Sequence, residues 1–225
     1  MQKSLSFRSI AVAAALVAVG VSAHAGLTIP SNSLVANSVQ AFSQESLDAF
    51  EVGGVTVTPL GNATVVEGVA GAYSFPITSI TISNSLKIAS GDAKGSALEI
   101  SRIARNVGKV GVTLANFTIN YETKQVLADT TPLGGATIKQ QALYNFNTAT
   151  PLGLKYKFPL SITGHEVLDK LTLTPEMFAI QRDALKLTPV LTAALESITT
   201  FGTLTQDIAV KLRAKPVSTT LYVPQ

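Results

Sequence analysis

Apolar and polar positions alternate with a period of two through much of the chain, in runs set roughly ten residues apart, which is the patterning of an all-β fold. The cleanest run is Thr203 to Ala214, where Ile208, Val210, Leu212 and Ala214 share one face and Lys211 and Arg213 share the other. Further strands are predicted over Ala97 to Ile103, Val110 to Asn120, Gln125 to Asp129, Ala142 to Phe146, Leu154 to Thr163 and Val167 to Thr172. Ile77 to Ile82 alternates imperfectly, with Thr78, Ile80 and Ile82 opposite Ile77, Ser79 and Thr81, and its β-branched residues decide the assignment. Val55 to Thr58 and Ala63 to Val66 read as a hairpin across Pro59-Leu60-Gly61-Asn62. Pro132 to Gly135 and Thr150 to Gly153 read as loops.

Helical spacing interrupts this pattern in two places. Ser43 can cap a short helix through Phe50, with acidic residues in its early turns, Gly53 past its end, and Leu47 and Phe50 toward the core. Near the C-terminus, Leu173-Thr174-Pro175 and Leu187-Thr188-Pro189 each place a threonine cap before a proline at the first helical position. Helices are predicted over Pro175 to Lys186, burying Met177, Phe178, Ile180 and Leu185, and over Pro189 to Ile198, burying Leu191, Ala194, Leu195 and Ile198. Helices placed there plug an open end of the core or roof a ligand cavity. The predicted fold is mainly β: an antiparallel β-sandwich with a short N-terminal helix and two short helices near the C-terminus. No Pro-, Gly- or Ser-rich linker divides residues 26–225, which are read as one domain.

The first 25 residues follow a different logic. Lys3 and Arg8 precede the apolar run Ile10 to Val19, and Ala23-His24-Ala25 supplies small residues for cleavage, the layout of a secretory signal peptide. The run is shorter than the roughly 20 residues that span a bilayer. The expectation is a mature chain from Gly26, secreted or periplasmic, without a transmembrane span. The chain has no cysteine, which excludes a lipidated cysteine, a thiol nucleophile and thiolate metal ligation, and leaves stability to packing and the β ladder. Net charge is +3, falling to +1 without Lys3 and Arg8, and nucleic acid is not an expected partner outside the cytoplasm. From Lys87 onward fifteen basic residues face ten acidic ones, so the charge is weighted toward the C-terminal part.

The short helix, Gly54-Val55-Thr56-Val57 with Gly61-Asn62-Ala63-Thr64, Phe75-Pro76-Ile77-Thr78, Val112 to Phe117, and Leu171 to Pro175 opening a helix follow one another in an order that resembles the domain of HtaA-like exported proteins, a bacterial haem-uptake family. The resemblance covers roughly residues 43–214 and implies a β-rich domain with small helices. In haem-binding members, a tyrosine in the first helix region ligates iron and a histidine in a later strand supports it. Here that region offers Phe42, Ala49 and Phe50, and no histidine lies between Gly91 and Val112. His165, in Gly164-His165-Glu166, falls much later in the strand order.

Reactive side chains are few. His165 is the one histidine after residue 25, and no Gly-x-Ser-x-Gly elbow accompanies it, so no catalytic residue is assigned and an enzyme is not expected. Zinc ligands are too few for a metal site, and no cofactor is expected. Lys155 and Lys157 project opposite Leu154, Tyr156 and Phe158, while Lys211, Arg213 and Lys215 project opposite Val210, Leu212 and Ala214. If those strands are neighbours, the five cations line one face and form a candidate ligand site for an anionic glycan or cell surface. Asn62-Ala63-Thr64 and Asn116-Phe117-Thr118 match the glycosylation acceptor pattern, by chance in a chain whose resemblance is bacterial. The functional expectation is an exported, non-catalytic binding or structural protein of the cell envelope or extracellular space, open to self-association. The alternatives are a carrier of haem or another apolar ligand, and an outer-membrane β-barrel.

Overall fold

A computed structural model describes residues 27–31, 35–83, 88–157, 161–210 and 215–224. The predicted signal peptide lies outside these residues. The strands are β1 (Leu27–Pro30), β2 (Val35–Ala41), β3 (Val55–Gly61), β4 (Thr64–Val65), β5 (Ala72–Pro76) and β6 (Ser79–Ile82), then β7 (Ile88–Ala104), β8 (Gly108–Asn120) and β9 (Gln125–Pro132), then β10 (Ile138–Lys157), β11 (Ser161–Leu173) and β12 (Thr203–Val210). Helix α1 (Gln44–Gly53) follows β2, and α2 (Pro175–Ala184) and α3 (Pro189–Glu196) lie between β11 and β12.

The chain is mainly β, and its strands join in one antiparallel sheet ordered β1-β6-β7-β8-β9-β10-β11-β12-β2-β5-β4, with β3 added on β7. Consecutive strands β5 and β6 stand near opposite ends of that order. β5 pairs with β2; then Ile77 donates its N–H to Ala36 O at 2.9 Å and Thr78 donates to Asp92 O at 2.7 Å, after which β6 pairs with β7. One chain segment thus stitches the two ends of the sheet. The sheet curls over, and its halves enclose a core as the layers of a sandwich do.

Leu98, Ile100, Val112, Leu114, Leu143 and Leu168 fill that core and are almost fully buried. Helices close one end of it: Met177 and Leu185 from α2 and its C-terminal turn, and Leu195 from α3, belong to the same apolar cluster, with Leu47 and Phe50 of α1 packed against it. The helices therefore plug the core.

Both C-terminal helices begin as their sequences predict. Thr174 accepts a hydrogen bond from Met177 N–H at 3.2 Å, Thr188 accepts one from Leu191 N–H at 3.4 Å, and proline follows each cap. Thr174 also donates its hydroxyl to Ala142 O at 2.7 Å, which ties α2 to β10. Thr174→Ala is expected to cost about 1–2 kcal/mol by loss of the cap, read as a lower urea midpoint; Thr188→Ala, on the exposed cap, is expected to cost less.

Four expectations need correction. Helix α1 continues to Gly53, and Gly54, not Gly53, takes the left-handed cap conformation. The strands around Gly61-Asn62 do reverse, but β3 pairs with β7 and β4 with β5, because their turn crosses the seam where the ends of the sheet meet. Thr150 to Gly153 is not a loop: it lies inside β10, where register shifts at Thr148/Thr150 and Thr150/Gly153 accommodate Pro151. Leu154 to Thr163 is not one strand. β10 ends at Lys157, β11 starts at Ser161, and Lys155 comes to lie opposite Thr163.

Candidate functional site

The antiparallel neighbours β10, β11, β12 and β2 place their residues in cross-strand rows. One row is Gly153, His165, Asp207 and Asn37; the next is Lys155, Thr163, Ala209 and Val35. Strand alternation sends these residues outward, while Glu166, Gln206 and Ser38 in the adjoining row face inward. The outward rows line an open groove of about 440 Å³. Gly153, Thr163 and Ala209 are among the residues that line it. His165 Nδ1 lies 2.8 Å from Asp207 Oδ1, and both side chains remain exposed. Lys155 stands exposed beside them.

The arrangement combines a carboxylate, an imidazole, an amide, a hydroxyl and one ammonium on a solvent-facing surface. Such a set can exchange hydrogen bonds with the hydroxyls of a polar ligand and can hold a negative group at Lys155. Asp207 orients the imidazole. Across the described residues, no group of three His, Cys, Asp or Glu side chains is placed to hold a metal ion.

Of the five cations singled out from sequence, Lys155 lies in the groove. Lys157 closes β10 opposite Ser161, and Lys215 is exposed at the start of the C-terminal segment. Lys211 and Arg213 lie outside the described residues. Strand β11 runs between β10 and β12, and β12 ends at Val210, before Lys211, Arg213 and Lys215. The antiparallel neighbour of β10 is β11, which sets His165 opposite Gly153.

The inward side of the same strands carries a second polar cluster. Tyr121 donates its hydroxyl to Glu166 Oε2 at 2.5 Å, and that hydroxyl lies 3.3 Å from Gln206 Oε1. Burial pushes the Glu166 carboxyl above its usual range, against the lowering effect of the Tyr121 hydroxyl and the Leu152 N–H. Burial and the nearby carboxyl push the Tyr121 hydroxyl far upward, so it stays protonated and remains a donor. Ser38, Gln40, Phe75, Phe117 and Leu204 border a space of about 20 Å³ beside this cluster, the size of a single water molecule. The space between α1, α2 and α3 is about 30 Å³.

His165, the one histidine among the described residues, stands exposed on the outer face of the sheet. Beside α1, Phe42 packs edge-on against Phe50 and Tyr73 with ring centroids 5.3 and 6.0 Å apart, and Tyr73 gives its hydroxyl to Val57 O at 3.1 Å.

No protein-family model matches the chain, and no curated protein matches it in sequence. Among solved structures, the crystal structure of the C-terminal domain of HtaA from Corynebacterium glutamicum is similar at a TM-score of 0.45 and 12% identity, over 80% of this chain and 98% of that one.

Proposed function

We propose that this chain is a non-catalytic binding or structural protein of the cell envelope or extracellular space, and that its groove beside His165 takes an anionic glycan. The observation that carries this reading is the position of its exposed polar groups: they converge in an open groove on the outer face of a sheet whose inner face is packed. A saccharide suits that chemistry, because Asn37, Thr163, His165 and Asp207 offer both donors and acceptors while Lys155 supplies one positive charge for a carboxylate or sulfate. The apolar spaces beside Phe75 and between the three helices are small, about 20 and 30 Å³, which favours a ligand held on the surface over one carried inside.

The test is binding of uronic-acid oligosaccharides to the chain from Gly26 to Gln225, followed by calorimetry over a range of salt. Lys155→Gln is expected to weaken binding about tenfold, close to 1.4 kcal/mol, and to flatten its salt dependence. His165→Ala should weaken it by a similar factor without changing the salt slope. Binding that Lys155→Gln and His165→Ala leave intact would sink this reading.

A further inference from the structure

On the other side of the molecule the sheet carries three irregularities, between Ala93 and Ala97 in β7, Ala115 and Thr118 in β8, and Ile138 and Gln141 in β10. Each contains a residue with positive φ: Gly95 at 76°, Asn116 at 55° and Gln140 at 48°. Asn116 is 3% exposed and its neighbour Asp129 9%, so this is a built polar centre and not a solvated rim. Asp129 accepts from Asn116 Nδ2 at 2.9 Å and from Gln140 N–H at 3.0 Å, while Gln140 Nε2 donates to Asn116 O at 3.1 Å.

This framework holds one amide in place, and that amide grips a peptide backbone. Asn116 Oδ1 accepts the Tyr222 N–H at 2.8 Å while Asn116 Nδ2 donates to the Tyr222 carbonyl at 3.0 Å. A residue of an adjacent β-strand would offer the same donor and acceptor pair. Four residues earlier, Asn62 Nδ2 donates to Ser218 O at 2.8 Å. Between these two grips the segment passes so close to Gly95 that a Cβ there would lie 2.8 Å from Thr220 O. The side chains Leu221 and Val223 are left 48% and 74% exposed. The two asparagines are those of the glycosylation-like triplets, and here their amides serve as backbone receptors.

We propose that this clamp is an intermolecular peptide-capture site, and that its partner is the Ser218 to Tyr222 segment of a second copy of this chain, exchanged for the copy's own. The occupant follows from what is seated there. A segment recognised through its backbone at Asn62 and Asn116 makes the same bonds whichever copy supplies it. Releasing it breaks no pairing of β12, which ends at Val210. The closed form has the advantage of high effective concentration, so exchange grows with protein density, and exchanged copies link head to tail or in reciprocal pairs. This site is separate from the His165 groove and stands or falls without it.

The test uses two fluorescently labelled populations of the chain from Gly26 to Gln225, mixed at rising concentration and followed by energy transfer and native mass spectrometry. Mixed pairs are expected to accumulate with concentration and to fall at least tenfold when a peptide of residues 215–225 is added in excess. Tyr222→Pro, which removes the N–H that Asn116 receives while changing only the C-terminal segment, is expected to reduce the pairs by a similar factor. Should that variant fail to fold, peptide competition decides alone. An absence of mixed pairs up to the solubility limit, or pairs that persist undiminished under peptide competition, would overturn the proposal.

Discussion

Gly202→Ala is expected to cost about 4 kcal/mol or more, enough to leave a chain of ordinary stability largely unfolded at 37 °C. Gly202 has φ 106°, a conformation that side-chain-bearing residues avoid, and an alanine Cβ would overlap the Ala41 carbonyl oxygen and sit 2.8 Å from Ser43 N. Both obstacles are backbone, so no side-chain rotation relieves them. They also lie where several elements meet. Leu171 O receives the Phe201 N–H at 2.7 Å, Thr203 pairs with Ala41, and Ser43 and Ser46 donate their hydroxyls to Thr200 O at 2.5 and 3.3 Å. Any shift that made room for the Cβ would pull the start of β12 from β2 and loosen the cap of α1. The measurement is soluble yield and the urea midpoint of the variant; a loss below 1 kcal/mol would show that the segment adapts.

Tyr121→Phe is expected to destabilise the protein by about 2–3 kcal/mol at pH 8 and by about 1 kcal/mol near pH 4. The ring stays, with its edge-on contact to Phe146 at 6.0 Å, so the variant isolates the hydroxyl that Glu166 accepts. Glu166 has a native pKa above its unfolded value of 4.5. The native state then holds its proton more tightly, so this group's contribution is fully present below pH 4.5 and is lost as pH rises through the native pKa. Without the Tyr121 hydroxyl that pKa climbs further, the loss extends to higher pH, and the gap between variant and parent widens toward alkaline conditions. Urea unfolding at both pH values measures the gap. An equal loss at pH 4 and pH 8 would show that the hydroxyl does not act on the charge of Glu166. Glu166→Gln with Tyr121 intact is expected to remove this contribution to the pH dependence.

Local signals are legible wherever the chain supplies its own chemistry. Thr174-Pro175 and Thr188-Pro189 announce their helices because a cap and a proline act within a single turn. Val110 to Asn120 reads as a strand because β-branched residues suit an extended, buried backbone. Irregular strands are less legible. The start of β7 carries Gly91, Asp92, Lys94 and Gly95, which resemble a turn, and the middle of β10 carries Pro151 and Gly153; in both, bulges absorb residues that would otherwise break a strand. The reversal between Lys157 and Ser161 was hidden by a continuous β pattern on either side of it. A pattern of alternation marks the face a residue shares but not the strand it meets.

By itself the sequence determined the class of the fold, the three helices with their N-caps, and the apolar residues available to a core, because propensity, capping and periodicity act over a few neighbouring positions. It also determined how little reactive chemistry the chain carries. Only the tertiary structure decided that β11 lies between β10 and β12, that Asp207 meets His165, that Tyr121 meets Glu166, and that Asn116 grips Tyr222. Each of those pairs is brought together across long stretches of chain by strand order and register. No local preference encodes them, since they follow from which strands bury their apolar faces against one another when the sheet curls.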